Sequence, residues 1–470
     1  MGLDETSQNS GISKEEFKNN SKMVDEARYI EAVNKLMDLL HTKKDRPAHL
    51  FKLSVNGVAR TRESFLLSAI EPAFRARTLK DVLYEVQLAA DRLKRLDLFS
   101  EIDVLLDVPK DPLATEDAME LVLNVREKSR LWVKTGTEVG NGEGNMNGSI
   151  NIRNLFGGAE TLETNVSFGT RTSSAFQFCL AKPVNASPDA KLDINAFNVV
   201  RNNMLFNSHE EVMRGIGARF RGISNFGYHE LSYGATWRTI DRLASDASLS
   251  VREQAGHSLK SSLQHIFQRD MRDDSVLPSK GYFLRLTQEF AGVGGGDVNF
   301  FKNEIESQIN FPLGNDWVLS LSARGGLLHS LNAIPSKIND RFFLGGPLSV
   351  RGFRTCGIGP RDKKDALGGD AYWAAGASLL APLYGKLRDW PLRLHLFANG
   401  GSLIQVKPGT PVKDSIASLY STPPSASFGF GLVYRHSVVR IELNFSLPLC
   451  ITATDQVKKG VQLGLGLSFM

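Results

Sequence analysis

The chain has 470 residues, 42% of them hydrophobic, which is room for more than one domain, but no apolar run approaches the ~18 residues a membrane-spanning helix requires. Its net charge of +5 comes from 56 Lys and Arg scattered among 51 acids; without a basic stripe, nucleic acid is not an expected partner. Cys179, Cys356 and Cys450 are odd in number, far apart and in no ligand spacing, which argues against a disulfide framework and a zinc site.

From Met1 to about Lys22 the chain is polar and too poor in apolar side chains to offset its ordering entropy, so a disordered tail is expected. Val24, Ala27, Ile30, Val33, Leu36 and Leu40 then recur at helical spacing, predicting an amphipathic helix before the basic stretch His41 to Pro47. Residues 1–47 thus form a tail and helix, and residues 48–127 an α+β unit. That unit opens on a strand at Phe51 to Val55 with a turn at Asn56-Gly57. A helix over Glu63 to Phe74 follows. A second opens after Thr78, a suitable N-cap, with Leu79, Val82, Val86, Ala89, Leu93 and Leu96 on one face. Glu101 to Val108 and Met119 to Glu127 read as an antiparallel pair, so the order is β-α-α-β-β.

Over residues 128–470 helical periodicity gives way to alternation. Leu231, Tyr233, Ala235 and Trp237 are separated by Ser232, Gly234 and Thr236. Val439, Ile441, Leu443, Phe445 and Leu447 alternate with Arg440, Glu442, Asn444 and Ser446, a polar face expected to meet water. A soluble sandwich would alternate too, but roughly 340 residues of strand exceed its usual size. The 42 glycines and 27 phenylalanines also suit a lipid-facing barrel. At roughly 20 residues per strand and connection, an all-β transmembrane barrel of about 16 antiparallel strands is expected. The N-terminus has no secretory h-region, and Glu15, Glu16, Asp25 and Glu26 are wrong for a cleaved transit peptide, which points to an organellar membrane.

No nucleophile elbow, phosphate loop or metal-ligand spacing appears, so neither an enzyme nor a cofactor is expected. The specific signal is Phe342 to Phe353, FFLGGPLSVRGF, within a loop reaching about Asp370. With GGDAYWAAG after it and the β-α-α-β-β unit before it, this segment resembles the BamA-like superfamily of outer-membrane assembly proteins and two-partner secretion transporters. In that superfamily an outward loop tipped by Arg-Gly-Phe/Tyr folds back into the barrel, and the α+β unit is a polypeptide-transport-associated (POTRA) domain. The single such domain, REQAGHSLKSSL at Arg252 to Leu263 and NIRNLFGGAE at Asn151 to Glu160 are similar to its mitochondrial member.

The resemblance implies a lumen-folded tip at Arg351, Gly352 and Phe353. A buried arginine needs a partner; the superfamily uses the aspartate of Phe-x-Asp-x-Gly, where this chain has Phe397-Ala398-Asn399-Gly400-Gly401. By parity Arg393, His395, Phe397 and Asn399 share the inward face, making Asn399 the expected partner and Asp370 the alternative. Gln462 to Phe469 fits the polar-x-Gly-x-x-hydrophobic-x-hydrophobic sorting signal of mitochondrial barrel proteins. Closure would set the first strand, through Leu131, Val133 and Thr135, against the last, through Gln462, Gly464, Leu467 and Phe469. The inward Gln462, Gly464, Gly466 and Ser468 are small or polar, so the last strand is expected to have little lumenal packing and to bend. A client strand could then pair at this seam.

The function implied is insertion of β-barrel precursor proteins into the mitochondrial outer membrane, whose lipid surrounds the barrel. The POTRA unit would lie in the intermembrane space, accessory sorting-and-assembly subunits on the cytosolic side, and the inner-membrane organising complex would be a further partner. The competing reading is an outer-membrane protein translocon or pore of the two-partner or chloroplast-envelope type. A simple porin needs neither the POTRA unit nor the Arg-Gly-Phe loop.

Overall fold

In the computed structural model, residue 42 and residues 44–466 are described, apart from 141–142, 171, 333, 384, 386–389 and 437–438. The expected N-terminal tail and helix, and Leu467, Ser468 and Phe469, lie outside the described residues. The chain divides into two compact units, residues 1–128 and 129–470.

In the first unit β1 (His49–Asn56), α1 (Glu63–Phe74), α2 (Leu79–Arg95), β2 (Phe99–Asp107) and β3 (Ala118–Glu127) follow in order. β3 is central, parallel to β1 and antiparallel to β2. Thr78 caps α2, its Oγ1 accepting the Asp81 N–H at 3.2 Å, which satisfies one of the donors a helix start leaves unpaired. The alternating four- and three-residue spacing of Leu66, Ile70 and Ala73 on α1 and of Val82, Val86, Ala89 and Leu93 on α2 gives each helix one buried stripe. Alternate residues Leu121, Leu123 and Val125 of β3 are buried as well, so helix and strand periodicities supply one core.

The second unit is a sheet of sixteen antiparallel strands. It begins with β4 (Leu131–Gly140), β5 (Glu143–Arg153), β6 (Thr161–Gly169), β7 (Thr172–Pro183) and β8 (Ala190–Asn202). The longer β9 (Glu210–Ser224), β10 (Gly227–Asp241) and β11 (Gly256–Asp270) follow, then β12 (Gly281–Ala291), β13 (Phe300–Gly314) and β14 (Trp317–Ser330). A long loop, residues 331–370, carries the two-residue strands β15 (Arg361–Asp362) and β16 (Asp365–Ala366). The sheet resumes with β17 (Ala371–Pro382), β18 (Leu392–Ile404), β19 (Ser425–Arg435), β20 (Arg440–Cys450) and β21 (Gly460–Gly466). β4 and β21 end the hydrogen-bonded order and lie beside one another. The sheet therefore curls into a ring.

Parity assigns the two faces. Leu394 and Leu396 of β18, Phe428 and Phe430 of β19, Leu443 and Phe445 of β20, and Val461 and Leu463 of β21 are all exposed outward. Their neighbours His395, Phe397, Ser427, Glu442, Asn444 and Gln462 are buried inside. An outward surface this apolar is solvated by lipid, as in transmembrane barrels. At the end of the barrel opposite the long loop, the turn over residues 271–280 folds inward. Its Leu277 packs on Val318, Leu380 and Val433, and Asp274 pairs with Arg435.

Candidate functional site

The long loop fills the lumen because it brings its own apolar core. Phe342, Leu344, Val350, Phe353 and Ile358 pack with the inward Phe300, Leu328, Tyr372 and Leu403 of the wall. The limbs of the loop are tied by reciprocal Phe342 and Gly369 backbone hydrogen bonds of 2.9 Å. Arg351 and Phe353 at the tip are fully buried, each 0% exposed. Gly352 adopts φ +82°, and a Cβ there would sit 3.0 Å from that of Ser427; only glycine combines this left-handed turn with so close an approach.

The carboxylate that meets Arg351 is Glu442, which is not among the partners the sequence suggests. Arg351 Nε and Nη2 donate to Glu442 Oε2 of β20 at 3.0 and 2.9 Å. Asn444 Nδ2 donates to the same oxygen at 2.6 Å, while Arg440 makes an ion pair with Oε1. The guanidinium carbon lies 5.0 Å from the Phe397 ring centroid, a cation over an aromatic face. Glu442 is 0% exposed: the polar face of β20, expected to meet water, meets the loop instead. Asn399 is nearby as a neighbour, since the Ser427 hydroxyl reaches both Asn399 Oδ1, at 2.8 Å, and the Arg351 carbonyl. Asp370 is committed elsewhere, accepting from Val406 N at 2.9 Å and from the Ser336 hydroxyl at the base of the loop.

The last strand also departs from expectation. Gln462 Oε1 accepts the Gly352 N–H at 2.8 Å and its Nε2 donates to the Phe353 carbonyl at 2.9 Å. The stretch leading into β21 pairs with the tip, through Arg354 N to the Gln456 carbonyl and Lys458 N to the Gly352 carbonyl, both 2.9 Å. β21 is thus packed on its lumenal side, because one amide side chain satisfies two backbone groups that burial would otherwise leave unpaired. Gly464 is buried on the same face.

The first strand is the opposite case. Every residue from Leu131 to Thr137 is exposed, Leu131, Val133 and Thr135 on one face and the intervening positions on the other, with the Arg153 guanidinium 5.7 Å from the Trp132 ring centroid. β4 is held along one edge by the β5 ladder, and no ladder joins it to β21 among the described residues. The seam therefore brings a braced last strand beside an exposed first strand.

Of the two family-like segments, NIRNLFGGAE runs from the end of β5 into a turn, and REQAGHSLKSSL runs from the end of a short helix (Leu249–Glu253) into β11. Glu160 accepts the Gly158 N–H at 2.8 Å and closes the turn at Asn154 to Glu160. The Arg252 guanidinium donates to the Ala247 and Ser245 carbonyls at 3.0 and 2.7 Å. Among the described residues no group of three or more His, Cys, Asp and Glu is placed to hold a metal ion.

Comparison with known proteins gives a consistent set of relatives. The Omp85 superfamily domain matches residues 154–469. A SAM50-like protein of Schizosaccharomyces pombe is 39% identical over 94% of each chain. The sorting and assembly machinery component 50 homologue of Bos taurus is 36% identical over 88% of this chain and 89% of its own. Among solved structures, BamA from Haemophilus ducreyi lacking POTRA domains 1–3 superposes with a TM-score of 0.72 at 18% identity, covering 89% of this chain and 84% of that one.

Proposed function

This chain belongs to the SAM50 family of the Omp85 superfamily, and from that premise we propose that it folds and inserts β-barrel precursor proteins into the mitochondrial outer membrane. The client's terminal strand is received at the seam between β4 and β21. In this reading the N-terminal unit lies in the intermembrane space and receives clients, accessory sorting-and-assembly subunits sit on the cytosolic side, and the inner-membrane organising complex is a further partner.

The observation carrying the proposal is the asymmetry of the seam: β4 is exposed from Leu131 to Thr137, whereas β21 is gripped through Gln462. An unpaired strand edge in lipid leaves N–H and C=O groups that cost several kcal/mol each. Such an edge opens only against a substitute, and a client strand is one. A client strand that pairs along β4 satisfies that edge with its own backbone groups, so the step draws on strand pairing rather than on a nucleotide or a metal.

Two experiments test the proposal at different levels. Depleting the protein and importing a labelled porin precursor into isolated mitochondria should abolish porin assembly while the precursor still crosses the outer membrane; normal assembly would remove the insertase function. For the seam, cysteines scanned through β4 around Thr135 and β21 around Gly464, with Cys179, Cys356 and Cys450 replaced by Ser, provide a reversible tie. The oxidised tie should stop insertion and reduction restore it, whereas equal rates in both states would rule out seam pairing.

A further inference from the structure

The Arg351 tip is one end of the lumenal loop; the other end is held by a second buried charge cluster that the insertion scheme does not use. Arg238 of β10 donates from Nη1 and Nη2 to Asp340 Oδ1 and Oδ2 at 2.7 and 3.1 Å. Lys260 of β11 donates to Oδ1 at 3.1 Å and pairs with Glu289 of β12 at 2.6 Å. Lys302 of β13 donates to the Asp340 carbonyl at 2.7 Å. Three strands therefore converge on one loop residue, with β12 joined through Lys260, and the side chains of Asp340 and Arg238 are 1% and 4% exposed.

The position of this cluster is the informative part. Around the sixteen-strand order, β10 lies eight strands from β20, half the circumference of the ring. The loop thus crosses from the Asp340 wall to the Glu442 wall and is held at both by buried charge. Phe342, Leu344, Val350 and Phe353 between the two ends belong to one packed cluster, and close-packed side chains transmit displacement because they have few voids to absorb it. Buried ion pairs add little net stability compared with apolar packing, so geometry is a better account of a second one.

We infer that Asp340 is a positioning residue: its clamp on Arg238 and Lys260 makes the loop a strut across the lumen and sets where Arg351-Gly352-Phe353 meets Gln462, and so how firmly β21 is held at the seam. The consequence for client insertion rests on the proposed function; the strut itself does not.

The test is amide hydrogen exchange on the full chain in lipid nanodiscs without client, comparing wild type with Asp340→Asn. Loss of the clamp charge should speed exchange roughly tenfold at residues 350–358 and 456–462, across the lumen from the substitution, because local opening is governed by the contacts holding that segment. The strands β5–β13 should keep their protection. Faster exchange confined to residues 336–342 would overturn the inference, as would a uniform rise through the whole barrel. Should Asp340→Asn not fold, Asp340→Asn with Arg238→Gln leaves no unpaired arginine at Asp340 and is read in the same way, and Asp340→Glu should restore the protection. No client enters this measurement, so failure of the insertase proposal would appear separately, in the depletion assay.

Discussion

Arg351 is compensated by more than one contact. Glu442 takes two of its donors, Phe397 offers a ring face, and Arg440 shares the same carboxylate. Removing one side of a buried pair exposes the other to its full desolvation cost, typically about 3–5 kcal/mol. Glu442→Ala, which takes the shared carboxylate from two arginines at once, should therefore lower the temperature at which the folded barrel loses its characteristic gel mobility by more than Arg351→Ala does. Arg351→Met with Glu442→Gln should be milder than Glu442→Ala, since only Arg440 then loses the carboxylate and Gln keeps a hydrogen-bonding side chain in its place. The importance of Arg351 is legible in its motif. Its partner is not, because Glu442 stands 91 residues further on, and alternation shows that it points inward without showing what fills the lumen there. The Asn399 expectation placed the right strand against the loop, where the Ser427 hydroxyl reaches both Asn399 and the Arg351 carbonyl, and did not foresee the Glu442 carboxylate.

At the scale of elements, the final strands are braced at both ends of the barrel, by the long loop at one and by the turn over residues 271–280 at the other. That turn is organised by two aspartates. Asp273 accepts from Ser279 N and Lys280 N at 2.9 and 3.2 Å, and Asp274 from Val276 N at 2.7 Å. Burial alone raises both carboxyls, but hydrogen bonds from the Ser279 hydroxyl and neighbouring N–H groups, and Arg435 beside Asp274, bring them below the usual aspartate value. A depressed folded value means that the stabilisation is present above the unfolded value near ~3.9 and is lost as pH falls through the lower folded one. Amide exchange at residues 271–280, corrected for its intrinsic pH dependence, should thus stay protected from pH 7 down to about 4 and lose protection below it. Asp274→Asn should reduce the size of that loss, leaving the part that Asp273 contributes.

For the whole molecule, each unit carries its own core: α1 and α2 with β3 in the first, the lumenal loop with its wall in the second. Units that bury their own apolar surface can fold alone. Residues 129–470 should refold in detergent into a heat-modifiable barrel, and residues 48–128 should melt cooperatively in water as a soluble α+β domain. Circular dichroism of the two fragments checks this, and a disordered spectrum from either would show that its core is incomplete.

The sequence by itself determined the elements and the face each presents, because periods of 3.6 and 2 are local properties written in neighbouring residues. β-α-α-β-β order, sixteen strands, a lipid-facing outer surface and an Arg-Gly-Phe tip folded inward all follow from that reading together with the family-like motifs. Which wall the tip meets was decided only in three dimensions. Glu442 and Gln462, the Asp340 clamp, and the contrast between exposed β4 and braced β21 depend on how a 40-residue loop crosses the ring. Parity along a strand shows whether a side chain enters the lumen, while the register around the ring selects its partner.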